Sequence, residues 1–254
     1  MTSSLASCKT LALQLHERIG RATAINRRRE PQQRQTLAQH RAAIAARLAR
    51  PRAEPDCGAS LLQPALVAPG DDAHVSFART LGDGDRGTCF DILEANMREQ
   101  YEANPWGWDA AGKRSELAHD DARFVLVRGG EGSGAIQAFA HFRFSANDEV
   151  HASRAVVYVW ELQVAEPFQG AGLGRRVMGL LQRVAEQLQL DCVMLTVFKS
   201  NARALAFYMD KLGYAVDEDD PINFDNLHEC YHILSWRPRD AAPRRSPRHY
   251  DTRQ

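Results

Sequence analysis

Several common features are missing from this 254-residue sequence. No uninterrupted apolar run reaches the ~18 residues that a membrane-crossing helix needs. No apolar stretch follows the N-terminus, so a secretory signal is not expected. Cysteines number five, an odd count with no C-x-x-C spacing. That argues against a disulfide framework or a zinc site and for a reducing, intracellular setting. The nine His residues show no H-E-x-x-H or related ligand pattern, so no metal is expected. No internal repeat is evident. Net charge is also absent, with 32 Lys+Arg against 32 Asp+Glu. What the chain does have is a 44% hydrophobic content, enough to build a core and to exclude wholesale disorder.

The zero net charge is a cancellation. Residues 1–60 hold 11 Lys+Arg and 4 Asp+Glu, net +7. Residues 61–236 hold 15 and 26, net −11, and residues 237–254 hold 6 and 2, net +4. An acidic body between two basic extensions points to charged partners. Residues 1–60 read as a basic helical extension and linker, 61–236 as the main domain, and 237–254 as a basic disordered tail. In the extension, Leu11, Leu15 and Ile19 and then Leu37, Ile44 and Leu48 mark helix faces within 9–50, with Pro31 as a break. Pro51–Pro69 has no period and reads as linker.

From Ala73 the pattern alternates strand and helix. Strands are expected at Ala73–Arg79, Arg123–Val127, Ile136–Phe144, Arg154–Val164, Asp191–Phe198, Tyr214–Asp217 and Glu229–Trp236. Helices are expected at Thr88–Tyr101, Lys113–His119, Leu173–Leu190 and Ala202–Leu212. This predicts an α/β (α+β) fold: a mixed, mostly antiparallel sheet flanked by helices. The strands near residues 160 and 195 are expected to splay apart.

The chemistry-bearing stretch is Trp160-Glu161-Leu162-Gln163-Val164 followed by Gln169-Gly170-Ala171-Gly172-Leu173-Gly174-Arg175. A strand ends and a glycine-rich turn opens directly into a helix. Such a turn lets backbone approach a ligand, and the helix N-terminus favours a phosphate or pyrophosphate. No Gly-Lys-Ser/Thr follows, which argues against nucleotide triphosphate hydrolysis. The glycine spacing of two and two does not fit a dinucleotide fingerprint.

The run Gln169–Gly174 resembles the pyrophosphate loop of the GNAT N-acetyltransferases. The resemblance narrows with Tyr101-Glu102, Trp106-Gly107-Trp108, His141-Phe142-Arg143-Phe144, Glu161-Leu162-Gln163, Leu195-Thr196-Val197-Phe198-Lys199 and Tyr231-His232-Ile233-Leu234-Ser235. Together these are similar to the type D N-alpha-acetyltransferase family, over about residues 75–236. That family acetylates the N-terminal serine of histones H-four and H-two-A. The resemblance implies acetyl-CoA as cosubstrate, no metal, and Glu161 as general base. Tyr208 becomes the candidate acid for the departing thiolate. It implies cofactor contacts at Leu162, Gln163, Val164, Gln169, Gly170, Ala171, Gly172, Leu173, Gly174, Arg175 and Asn201. It also implies a peptide groove lined by Tyr101, Trp106, Tyr158, Trp160, Thr196 and Tyr231. Ser145 stands where the family has Asp, and Asp148 or Glu149 is the candidate replacement; Trp160 stands where relatives have Tyr.

Plainer explanations fit some of the same positions. Glu161 could be a solvent-face charge, Asn201 a helix N-cap, and the aromatics core. The acidic run Asp217-Glu218-Asp219-Asp220 reads either as a solvated turn or as an attractor for a basic tail. By the resemblance, the partners are histone tails and the location is nucleus and cytoplasm. The expected state is a monomer off the membrane, with chromatin or the ribosome as partners for the basic extensions. Competing readings are acetylation of another N-terminus, an internal lysine or a basic amine. A non-catalytic CoA-binding interaction module is a further one.

Overall fold

The computed structural model describes residues 73–130, 134–147, 154–224 and 226–238. The expected helical arm over 9–50, the linker, Asp148, Glu149 and nearly all of the basic tail lie outside the described residues.

The chain runs β1 (Ala73–Ala78), α1 (Asp83–Glu102), α2 (Ala110–Leu117), β2 (Arg123–Gly129), β3 (Ile136–Asn147), β4 (Arg154–Val164), α3 (Leu173–Gln187), β5 (Cys192–Phe198), α4 (Ala202–Ala206), β6 (Ala215–Val216) and β7 (Tyr231–Trp236). The seven strands form one sheet in the order β1-β2-β3-β4-β5-β7-β6. Only β4 and β5 pair in parallel, across the α3 crossover; every other neighbour is antiparallel. This is the mixed, mostly antiparallel sheet that the alternating pattern predicts.

Central strands are buried on both faces, so alternate residues feed two cores. One face carries Val125, Val127, Ala140, Val157, Val159 and Leu195 against Val177, Leu180, Leu181 and Val184 of α3. Those α3 residues recur every three or four positions, which puts them on one stripe of the helix. Burying each contributes about 1.5–3 kcal/mol, so α3 is the main clamp on that face. The opposite face carries Phe124, Leu126 and Phe139 against Phe90 and Leu93 of α1 and Leu117 of α2.

Several boundaries differ from the sequence reading, three of them for a clear local reason. Helix α1 begins five residues earlier than Thr88, across a glycine-rich run. Asp83 and Asp85 in its first turn complement the helix dipole, and Arg128 reaches Asp85 at 2.6 Å. Helix α2 starts at Ala110 because the Asp109 side chain caps it, accepting from the Gly112 amide at 2.9 Å. The expected helix Ala202–Leu212 is α-helical only to Ala206 and then widens into a π-type turn over Phe207–Lys211. It stops before Gly213, whose φ of +71° suits glycine.

Candidate active site

The parallel pairing of β4 with β5 runs from Val156–Cys192 to Val159–Leu195 and then stops. Beyond that point the two strands part, as the sequence suggested for the region of residues 160 and 195. On the other side of β4 the register with β3 slips: Phe142 faces Val159, whereas His141 faces Glu161. Trp160 is therefore the extra residue of a β-bulge. A bulge re-aims the side chains that follow it. Strict alternation after Val157 and Val159 would place Glu161 and Gln163 against α3. The bulge instead turns both toward the α1 and α2 face and sends Leu162 and Val164 into the α3-side core.

Glu161 is 6% exposed, and both carboxylate oxygens are engaged. Oε1 accepts from Lys113 Nζ at 2.8 Å, and Oε2 accepts from Gln163 Nε2 at 3.0 Å. Lys113 also donates to Glu116 at 3.0 Å and lies 4.8 Å from the centre of the Tyr101 ring. Burial works against the Lys113 ammonium, but Glu161, Tyr101 and Glu116 outweigh it, so its amine titrates well above the usual lysine range. Burial raises the Glu116 carboxyl, and the Glu161 charge adds to the rise against the pull of Lys113. The solvent-face explanation of Glu161 is thus excluded by its burial. Lys113 has no signature in the sequence beyond its place after the Asp109 cap.

The predicted groove residues form one connected aromatic cluster beside this ion pair. The Trp106 ring lies 5.2 Å from Tyr231 and 5.1 Å from Phe198, and Tyr101 lies 5.0 Å from Phe198. Tyr158 shares a 2.5 Å hydrogen bond with Thr196 and packs on Trp160 at 6.0 Å. Burial raises the Tyr158 hydroxyl. Trp160 stacks on His141 at 5.9 Å, and the Arg143 guanidinium lies 4.1 Å from its ring centre. Burial, helped by Arg143 and Lys113, lowers His141 to about 3, so its imidazole is neutral. Phe198 and Trp108 belong to this cluster as well, although only their motifs were singled out in the sequence.

The glycine loop has the expected geometry. Gly170 and Gly172 have φ of +83° and +84°, the left-handed region that glycine enters freely. Gly172, the N-cap of α3, supplies no side-chain cap, and residues 170–172 are exposed. A Cβ at Gly174 would lie 3.3 Å from the Phe207 ring, so this glycine lets α3 pack closely on the π-type turn after α4. Gln169 anchors the loop, donating to the Val164 carbonyl at 3.1 Å and accepting from Arg203 at 2.9 Å. Arg175 is exposed on the first turn of α3. Asn201 caps α4, its side chain accepting from the Ala204 amide at 3.0 Å. Tyr208 is 9% exposed and packs on Phe207 and Tyr214. Burial raises its hydroxyl, and the charge of Glu161 adds to the rise.

The acidic run turns inward rather than toward a partner. Arg154, fully buried, pairs bidentately with Asp217 at 2.9 and 3.0 Å and also bonds Asp219. Asp220, equally buried, accepts from the Ile222 and Ile233 amides. Neither the solvated turn nor the attractor describes these three carboxylates. They bind the β7 end of the sheet to the start of β4. Among the described residues, no group of three or more His, Cys, Asp or Glu side chains could hold a metal ion.

Residues 90–214 match the Acetyltransferase (GNAT) family. The chain is similar to N-alpha-acetyltransferase 40 of Saccharomyces cerevisiae, 26% identical over 54% of this chain and 53% of the yeast protein. The chain thus spans about half the length of that curated relative. Among solved structures it is similar to the ribosomal-protein-S18-alanine N-acetyltransferase of Escherichia coli (19% identity, 64% of this chain, 93% of that chain, TM-score 0.43). It is also similar to an N-acetyltransferase of Thermoplasma acidophilum in complex with coenzyme A (13% identity, 65% and 99%, TM-score 0.44).

Proposed function

We propose that the protein transfers acetyl from acetyl-CoA to the α-amine of a protein N-terminus, the substrate being the N-terminal serine of histones H-four and H-two-A. One observation carries this reading. The bulge at Trp160 turns Glu161 onto Lys113, beside the Tyr101 ring, at the point where β4 leaves β5, and the remainder of β4 leads from it to the glycine loop. The uncapped α3 terminus supplies backbone donors of the kind that bind a pyrophosphate, with Arg175 nearby. The family match and the name of the yeast relative support N-terminal acetylation.

In the reaction the amine nitrogen attacks the acetyl carbon, a C–N bond forms, and the C–S bond breaks. A free α-amine has a pKa of about 7.7–8.0, so a large fraction enters protonated. Glu161 accepts that proton, directly or through one water. Each of its oxygens has one hydrogen bond and retains a further lone pair. Tyr208, held protonated by burial, gives its proton to the thiolate, and the second proton that the nitrogen sheds on becoming an amide restores Tyr208. Tyr101, Trp106, Tyr158, Trp160, Thr196 and Tyr231 form the wall that packs the first residues of the peptide. Its setting is the nucleus and cytoplasm, with histone tails as partners.

The locked acidic run favours a second reading. With Asp217, Asp219 and Asp220 committed inside, less negative charge remains to hold an Arg-rich tail, so another N-terminus or an internal lysine is the alternative. Mass spectrometry on a Ser-Gly-Arg-Gly peptide, its N-blocked lysine-bearing form and unrelated N-termini tests both. Acetylation of the blocked peptide alone would overturn the α-amine reading.

A further inference from the structure

A line of side chains joins the glycine loop to Glu161. Arg203 donates to Gln169 Oε1 at 2.9 Å, and Gln169 Nε2 donates to Asn96 Oδ1 at 3.4 Å. Asn96 Nδ2 donates to Gln163 Oε1 at 3.0 Å, and Gln163 Nε2 donates to Glu161 Oε2 at 3.0 Å. Every donor points the same way, from a guanidinium at one end to a carboxylate at the other. Aligned bonds of this kind polarise one another.

The direction is not arbitrary. Amides can flip, and what prevents it here is a backbone group. The Val164 carbonyl accepts from Asn96 Nδ2 at 3.0 Å and from Gln169 Nε2 at 3.1 Å. A carbonyl can only accept, so both side chains must present nitrogen to it. The Asn96 nitrogen that faces Val164 also faces Gln163, which must therefore offer its oxygen to Asn96. The Gln163 nitrogen is then left for Glu161. Asn96 touches neither Glu161 nor the glycine loop backbone in this arrangement, yet it determines which end of the Gln163 amide the carboxylate meets.

We propose that Asn96 of α1 is a positioning residue: anchored on the Val164 carbonyl, it fixes the Gln163 amide so that Glu161 always receives an N–H. This rests on the reading of Glu161 as the proton acceptor. Asn96→Asp keeps the shape and removes the donor. Oxygen would then face both Val164 and Gln163, and the Gln163 amide would turn over to donate to the new carboxylate. Its carbonyl would meet Glu161. Hydrogen bonds favour the charged form of a carboxylate, and losing one favours protonation.

Two measurements on the full chain test this. In the first, the acid limb of kcat against pH moves up by about one pH unit in Asn96→Asp, while KM for acetyl-CoA changes less than about threefold. In the second, the pH midpoint of the Glu161 carboxyl carbon-13 signal, followed without cosubstrate, moves the same way. Asn96→Asp also adds a negative charge that by itself favours protonation of Glu161, so Gln163→Met, which removes the last donor and adds no charge, must reproduce both shifts, and a shift confined to Asn96→Asp overturns the proposal. A profile lowered in height but unshifted, with an unmoved carbon-13 midpoint, overturns the proposal and leaves Asn96 a packing residue. A shifted midpoint in a chain that acetylates no peptide supports the positioning role and overturns the proposed function instead.

Discussion

Lys113 Nζ lies 2.8 Å from Glu161 Oε1, with both side chains 6% exposed. One residue comes from the second helix and the other from the bulged strand, so the pair ties the wall of the site to its chemistry. Removing one partner of a buried pair leaves an uncompensated charge. Lys113→Met is expected to cost about 3–5 kcal/mol of stability. The double variant with Glu161→Gln is expected to recover part of that loss. Urea unfolding of the two singles and the double gives the coupling, and additive losses would show that the pair does not hold the fold together.

Glu161→Gln is expected to lower kcat by about 100-fold to 10,000-fold, the range for a general base. Acetyl-CoA affinity by calorimetry should stay within about threefold, since the carboxylate is not part of the glycine loop. Turnover near the unsubstituted level would assign the proton to another group.

Gly172→Ala places a side chain at φ +84°. The backbone strain is of order 1–2 kcal/mol, and the loop would be expected to shift its amides to relieve it. Acetyl-CoA should then bind about tenfold or more weakly, with peptide affinity little changed. Gly179→Ala, in the same helix but away from the loop, is the control; equal loss in both would mean that α3 as a whole had been disturbed.

His141 sets an acid limit on stability. Its folded pKa is lowered to about 3 by burial, Arg143 and Lys113, against about 6.5 in the unfolded chain. Between those values the unfolded state binds the proton and the folded state does not. The contribution is whole above about 6.5 and is lost as the pH falls toward 3. Glu116, with its raised carboxyl, opposes this trend in part. Chemical unfolding near pH 5 and near pH 7 should show a loss of about 2 kcal/mol that His141→Phe removes. A variant with the same pH slope would place the acid sensitivity elsewhere.

Arg154→Met should destabilise the fold by about 3–5 kcal/mol, because Asp217 and Asp219 lose their buried partner. Glu218→Gln, at the half-buried member of the same run that pairs with Arg237, should leave peptide KM and its salt dependence nearly unchanged. A large salt-dependent rise in KM would restore that run as a tail-binding element.

Pattern and spacing carried most of the architecture. The apolar period of α3 and the alternation in β2, β3 and β4 are local properties, and each strand and helix that they imply is present. The glycine loop was legible for the same reason: positive φ at Gly170 and Gly172 is a demand that only certain residues meet. The aromatic residues came from a resemblance of motifs, and the fold draws them together from α1, β4, β5, β7 and the loop after α1. Lys113 and Asn96 were not legible, because a lysine or asparagine within a helix has no periodic mark of a distant partner. The acidic run was misread for a related reason. Its sequence shows four charges in a row but not the buried arginine, 63 residues from Asp217, that pairs with the first three of them.

Alone, the sequence determined that strands, helices and a phosphate-type turn would occur, and in what order, because these follow from side-chain period and backbone freedom. Tertiary structure decided which way Glu161 points. One extra residue at Trp160 reverses the faces of everything after it, and a two-residue period cannot register an insertion that exists only relative to the neighbouring strand.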